Sequence, residues 1–316
     1  MKRMNDMIEK IKVVKNEVKK VIVGKDDCID KILMAVLAGG HILMEDTPGV
    51  GKTTLAMACA KAMDLSKKRM QFTPDVLPSD VVGFSILNRE GKMTYQPGAV
   101  MCNIFLADEL NRTSPKSQSA LLEVMEEGKV TVDGETREVP KPFVVIATQN
   151  PLVSIGTQKL PESQLDRFML KLHIGYPTLE QEIMMLKGRK MENPLEQVQP
   201  VLTAEEILEM QKQVREIFVH DNAYRLIVSV AQETRNDDNI LQGLSPRGSL
   251  ALLAMAKAVA FMAGREYVVP EDVSYIFSEV VSHRMIWNKS NGMSDEEKNS
   301  YLNQLLRKAM KKEAAS

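Results

Sequence analysis

The stretch EDTPGVGKTT, Glu45 to Thr54, restricts this chain more than any other feature. It lies between a short apolar run, HILME, and a helical pattern, TLAMACAKAM. A loop that leaves a buried strand and enters a helix presents successive backbone N–H groups, which cradle phosphate. The general pattern G-x-x-x-x-G-K-[ST] has a glycine where this chain has Asp46. That first position is the strand end, where a non-glycine with ordinary φ is tolerated. The cradle itself needs the later glycines, and Gly49 and Gly51 are present. Pro48, Gly49, Val50, Gly51, Lys52, Thr53 and Thr54 are therefore expected to surround a phosphate chain. Lys52 would neutralise the β- and γ-phosphates, and the Thr53 hydroxyl would hold Mg²⁺.

The surrounding pattern predicts an α/β fold. Ile8, Ile11, Val14 and Val18 recur at helical spacing over residues 5–20, and a second helix is expected to about Ala38. Buried strands are expected at 41–45, 103–109 and 143–151, with a further strand after LPESQLDRF. SILNREGKMTYQPG reads as a hairpin turning at Arg89-Glu90-Gly91, and KVTVDGETREVP as another turning at Asp133-Gly134. Between them, Ser114 caps a helix with Pro115 in its first turn. QFTPDVLPSDVVGF has two prolines and no clear period. Strands alternating with helices imply a parallel sheet. Beyond Pro177 the pattern is helical, over 178–191, 203–218, 221–235, 246–263, 270–285 and 295–313. Two domains are expected, 1–177 and 178–316.

Composition narrows the partners. Lys plus Arg number 41 against 42 for Asp plus Glu, which argues against a chain built mainly for nucleic acid. Cys28, Cys59 and Cys102 form no C-x-x-C pair and read as reduced thiols of a cytoplasmic protein. The four histidines are too scattered for a metal site, and no apolar run is long enough for a membrane span.

Four more positions carry chemistry. NIFLADE places Asp108 and Glu109 at the carboxyl end of a buried strand, where open α/β sheets bind ligands. Asp108 is expected to hold Mg²⁺ and Glu109 to polarise an attacking water. In FVVIATQNP, Asn150 orients that water, contacts the γ-phosphate, or caps a turn before Pro151. Arg167 follows a short helix in LDRF, and Arg247 lies in the first turn of a helix capped by Ser245. Taken singly, each arginine reads more readily as half of a surface ion pair.

Taken together, EDTPGVGKTTLA, QFTPDVLPSDVVG, LADELNRTSPKSQSALLEVMEEG, VIATQNP, LPESQLDRF and LSPRG resemble the AAA+ ATPases, and closely the MoxR family. The resemblance covers nearly the whole chain. It implies an AAA+ P-loop NTPase core followed by an all-α lid, and a homohexameric ring that hydrolyses ATP to ADP with Mg²⁺. By the same resemblance, Gly49 to Thr54 match Walker A, Asp108 and Glu109 Walker B, and Asn150 sensor 1. Arg167 matches an arginine finger acting on the neighbour's nucleotide, and Arg247 matches sensor 2. Val23 and Gly24 match the stretch that contacts adenine, and Lys25 stands where the family commonly has Gln. The hairpins near 83–97 and 129–139 match inserts that face a pore or a partner. The segment near 180–218 resembles an insert that displaces the lid, which leaves open whether Arg247 acts in its own subunit or across to the next. The resemblance also implies a chaperone-like role on a protein client, often with a von Willebrand factor A domain partner.

Three other readings share the core. A nucleic-acid motor would need basic hairpins, yet TVDGETREV has one basic residue against three acids. A magnesium-chelatase-like subunit fits the quoted pieces less well. A nucleotide sensor without hydrolysis would not need Glu109 and Arg167.

Overall fold

The computed structural model describes residues 2–47, 49–150, 160–188, 194–288 and 292–314. Helix α1 (Lys2–Lys19) buries the expected Ile8, Ile11, Val14 and Val18, and α2 (Asp26–Ala38) follows. Strand β1 (Ile42–Glu45) leads through the glycine loop into α3 (Lys52–Ala62). Strand β2 (Lys67–Gln71) and the short helix α4 (Pro78–Val82) precede the hairpin β3–β4 (Gly83–Leu87, Met93–Pro97). Strand β5 (Ile104–Asp108), helix α5 (Pro115–Glu127) and the hairpin β6–β7 (Lys129–Val132, Glu135–Glu138) come next. The α/β part ends with β8 (Val144–Gln149), α6 (Glu162–Leu165) and β9 (Leu170–Leu172).

Five strands form one parallel sheet in the order β2-β5-β8-β1-β9. Side chains alternate across a strand, so each apolar strand serves two cores. Ile42, Met44, Ile104, Leu106, Val144 and Ile146 pack on the side of α1, α2 and α3. Leu43, Phe105, Ala107, Val145 and Ala147 pack on the side of α5. This two-sided burial is why the strands read as unbroken apolar runs. At the foot of the sheet, the buried His41 Nδ1 accepts from Val145 N at 2.9 Å, and Nε2 faces the Met125 carbonyl at 2.9 Å. Nδ1 is thereby the acceptor, so Nε2 carries the proton. Burial pushes this imidazole down to about 4, keeping it neutral.

Strand β2 was not legible. It is the sheet edge, and its sequence KKRMQ is charged, as exposed edges often are.

The remaining chain is mostly helical: α7 (Leu179–Gly188), α8 (Ala204–Glu216), α9 (Asp221–Arg235), then strand β10 (Ile240–Gln242) and helices α10 (Pro246–Met262) and α11 (Pro270–Val281). Strand β11 (Ile286–Trp287) pairs antiparallel with β10, and α12 (Asp295–Ala314) ends the chain. The helix expected over 270–285 stops at Val281. A 3₁₀ turn, Ser282–Arg284, replaces its last part and buries His283 and Arg284. Residues of α8 to α12 belong to the same core as α1 to α3. No described helix is long and apolar enough to cross a membrane.

Candidate active site

Because the sheet is parallel, the loops after β1, β5 and β8 leave from one edge. Gly49 (φ +87°) and Gly51 (φ +93°) both hold left-handed backbone, which explains two of the motif's glycines. Gly51 caps α3, whose first turn carries no acid, so its positive end faces the loop. Lys52 Nζ donates to the carbonyls of Asp46 at 2.5 Å and Thr47 at 3.1 Å. Burial pushes Lys52 down, against the pull of Asp46, Asp108 and Glu109. Pro48 lies outside the described residues.

Asp46 has a structural reason. Its carboxylate accepts from the N–H of Ile174 at 2.6 Å and of Gly175 at 3.2 Å. It ties the loop to the chain leaving β9, a tether that glycine lacks. Bonds to a charged acceptor contribute about 1.5–3 kcal/mol, and Asp46→Ala is expected to destabilise the fold by about that much. The midpoint of urea unfolding checks it; an unmoved midpoint would deny the tether.

Thr53 Oγ1 lies 3.3 Å from Asp108 Oδ2. The other oxygen, Oδ1, accepts from Thr148 Oγ1 at 2.6 Å. Thr148 also accepts from the Glu109 N–H at 2.9 Å, so one hydroxyl on β8 positions both acids. Glu109 holds φ +55°, ψ +47°, a conformation that costs a non-glycine residue about 1–3 kcal/mol and recurs at functional sites. Its carboxylate pairs with Arg112 at 2.7 Å. Thr53 and Asp108 thus offer hard oxygen donors at one point, the set that suits Mg²⁺.

Arg69 on β2 donates to Asp108 Oδ2 from Nε at 3.1 Å and Nη2 at 2.7 Å. Sequence reading missed it because β2 was not read as a strand. The Asn150 carbonyl accepts from Asn111 Nδ2 at 3.3 Å, so Asn150 stands beside the turn that follows Glu109. Pro151, the next residue, lies outside the described ones.

Val23 and Gly24 lead into α2. Gly24 (φ +71°) accepts at its carbonyl from Gln181 Nε2 at 3.2 Å. Lys25, the departure from the family pattern, donates to the carbonyls of Ile174 at 2.7 Å and Tyr176 at 2.9 Å. Tyr176 also meets Thr47 at 3.2 Å, so these residues border the glycine loop.

Arg167 and Arg247 converge on one carboxylate. Both pair with Glu126 near the end of α5, Arg167 Nη2 at 3.1 Å to Oε2 and Arg247 Nη2 to Oε1. The ion-pair reading of each arginine therefore holds within the chain, and neither sequence nor spacing had marked Glu126. Arg167 Nε is buried without a hydrogen-bond partner among the described residues.

Comparison with known proteins fits this geometry. Residues 41–170 match the model of the ATPase family associated with various cellular activities, and residues 232–304 match the AAA lid domain. The protein YeaC of Bacillus subtilis is 48% identical over 85% of this chain and 84% of its own length. Chaperone MoxR1 of Mycobacterium tuberculosis is 38% identical over 85% of this chain and 74% of its own. A crystal structure from Cytophaga hutchinsonii superposes with a TM-score of 0.89 at 37% identity, covering 97% of this chain and 96% of that one. An α/β core with a glycine phosphate loop, two acids after β5, a helical lid and this level of identity agree on one assignment: the chain belongs to the MoxR family of AAA+ ATPases.

Proposed function

We propose that the chain hydrolyses Mg·ATP at the subunit interfaces of a homohexameric ring and uses the cycle to remodel a protein client. The observation that carries it is that Arg167 and Arg247 both bond Glu126 and, among the described residues, bond none of the groups that surround the phosphate loop. Those groups are Lys52, Thr53, Asp108, Thr148 and Glu109. A site missing its arginine is completed by a neighbour in a ring, where one patch meets a different patch head to tail.

In this reading Gly49 to Thr54 wrap the phosphates, Val23 and Gly24 border the adenine, and Thr53 and Asp108 hold Mg²⁺, which would offset phosphate charge. Glu109 takes a proton from the attacking water, and Asn150 orients that water. The division at 1–177 and 178–316 separates the nucleotide core from the lid that moves against it. A partner with a von Willebrand factor A domain and a cytoplasmic location follow from the family. Three free, buried cysteines support a reducing compartment.

The test is complementation. Lys52→Ala subunits cannot hold the β- and γ-phosphates but keep Arg167. Arg167→Ala subunits bind nucleotide but do not supply Arg167. Each alone should be inactive. An equal mixture should regain about a quarter of the unmodified rate, the share of neighbour pairs that combine both intact residues in a random ring. A mixture as inactive as its parts would sink the interface site.

A further inference from the structure

The 3₁₀ turn after α11 buries a guanidinium, and its bonds converge on the segment that carries Arg167. The Arg284 side chain is 2% exposed. Its Nε donates to Asp166 Oδ1 at 2.8 Å. Nη2 donates to the carbonyls of Asp166 at 3.3 Å and Phe168 at 2.5 Å. Nη1 donates to the carbonyls of Met169 at 3.1 Å and Val280. Four carbonyls and one carboxylate hold one planar fork, so the backbone on both sides of Arg167 is fixed to the lid.

The second oxygen of Asp166 continues the chain. Oδ2 accepts from Ser245 Oγ at 3.0 Å. Ser245 Oγ in turn accepts from Gly248 N at 3.0 Å and so caps α10. Arg247 sits in the first turn of that helix. The covalent neighbour of Arg167 therefore grips the cap of the helix that carries Arg247. The two arginines also share Glu126.

We propose that Asp166 is a positioning residue, one carboxylate oxygen held by Arg284 and the other by Ser245, which locks Arg167 to the start of α10 so that both arginines are presented to a neighbour as one rigid unit. Asp166 thereby holds the lid helix that carries Arg247 in register with the core segment that carries Arg167. This rests on the interface reading above, because it assigns Asp166 a task only through Arg167 and Arg247.

Asp166→Asn tests it with little change of shape. An amide keeps one acceptor oxygen and offers an NH₂ in place of the other, so the buried Arg284 loses its counter-charge and the Ser245 hydroxyl loses the acceptor for its own proton. A misplacement of about 1 Å in a positioned group can cost about 10²-fold in rate. Asp166→Asn is expected to lower kcat by about that factor while the affinity for a fluorescent ATP analogue stays within about twofold.

The sharper readout places the change in one partner of the complementing pair. Carried by the Lys52→Ala subunit, which supplies the arginines, Asp166→Asn should abolish the restored activity. Carried by the Arg167→Ala subunit, which supplies the nucleotide site but not Arg167, it should leave that activity in place. Equal loss in both placements, or no loss in either, would overturn the proposal and make Asp166 a fold residue alone. If the Lys52→Ala and Arg167→Ala pair restores nothing even with Asp166 intact, the interface reading has failed instead. Ser245→Ala, which removes only the hydroxyl, is read the same way should Asp166→Asn fail to fold.

Discussion

Arg167→Ala is expected to bind ATP as the unmodified chain does and to lose about 10³–10⁵ in turnover, the range for an arginine supplied to a transferring phosphoryl group. At about 1.4 kcal/mol per decade, that is about 4–7 kcal/mol of transition-state stabilisation. The loss should not come from unfolding. Arg167 pairs with Glu126 at 3.1 Å where both side chains are partly exposed, and such a pair contributes about 0–1 kcal/mol. Glu126 keeps Arg247 as partner when Arg167 is removed. Single-turnover hydrolysis beside nucleotide affinity measures the split. Unmodified turnover in Arg167→Ala would move the role elsewhere. Arg112, paired with Glu109 at 2.7 Å, would be the next arginine to test.

Glu109→Gln is the second large effect. Removing a positioned general base costs about 10²–10⁴ in rate. The amide keeps the size of the side chain, and the Glu109 N–H keeps its bond to Thr148. ATP should therefore bind and remain unhydrolysed, and the ring should accumulate in its ATP-bound form. Sedimentation with ATP should show the assembled species persisting where the unmodified protein dissociates as nucleotide is consumed. Normal turnover in Glu109→Gln would remove Glu109 from its assigned role. The variant should lose little stability, because the Arg112 ion pair it weakens is partly exposed to solvent.

Sequence made part of this site legible and concealed part, for separable reasons. The glycine loop and the acids after β5 are local patterns, each fixed by a strand end and a following turn. Two-sided burial made β1, β5 and β8 readable as apolar runs. Strand β2 failed the same test because edge position lets it be charged, and with it Arg69 was missed. Thr148 was within reach, since it lies near the end of a buried strand, but its role depends on β8 lying beside β5 in register. Strand order is not written in either segment. Glu126, Asp166 and Arg284 act through pairs distant in sequence, Arg284 and Asp166 being 118 residues apart. Asp46 looked like a defect in a motif and is a tether to the segment after β9.

The most direct test of the interface site is ATP hydrolysis per protomer as protein concentration is raised through the range where sedimentation shows monomers becoming rings. The specific rate should climb steeply and then saturate as neighbours supply Arg167. A rate that stays flat into the monomer range would mean that each chain carries its whole catalytic set, and the shared site would be contradicted.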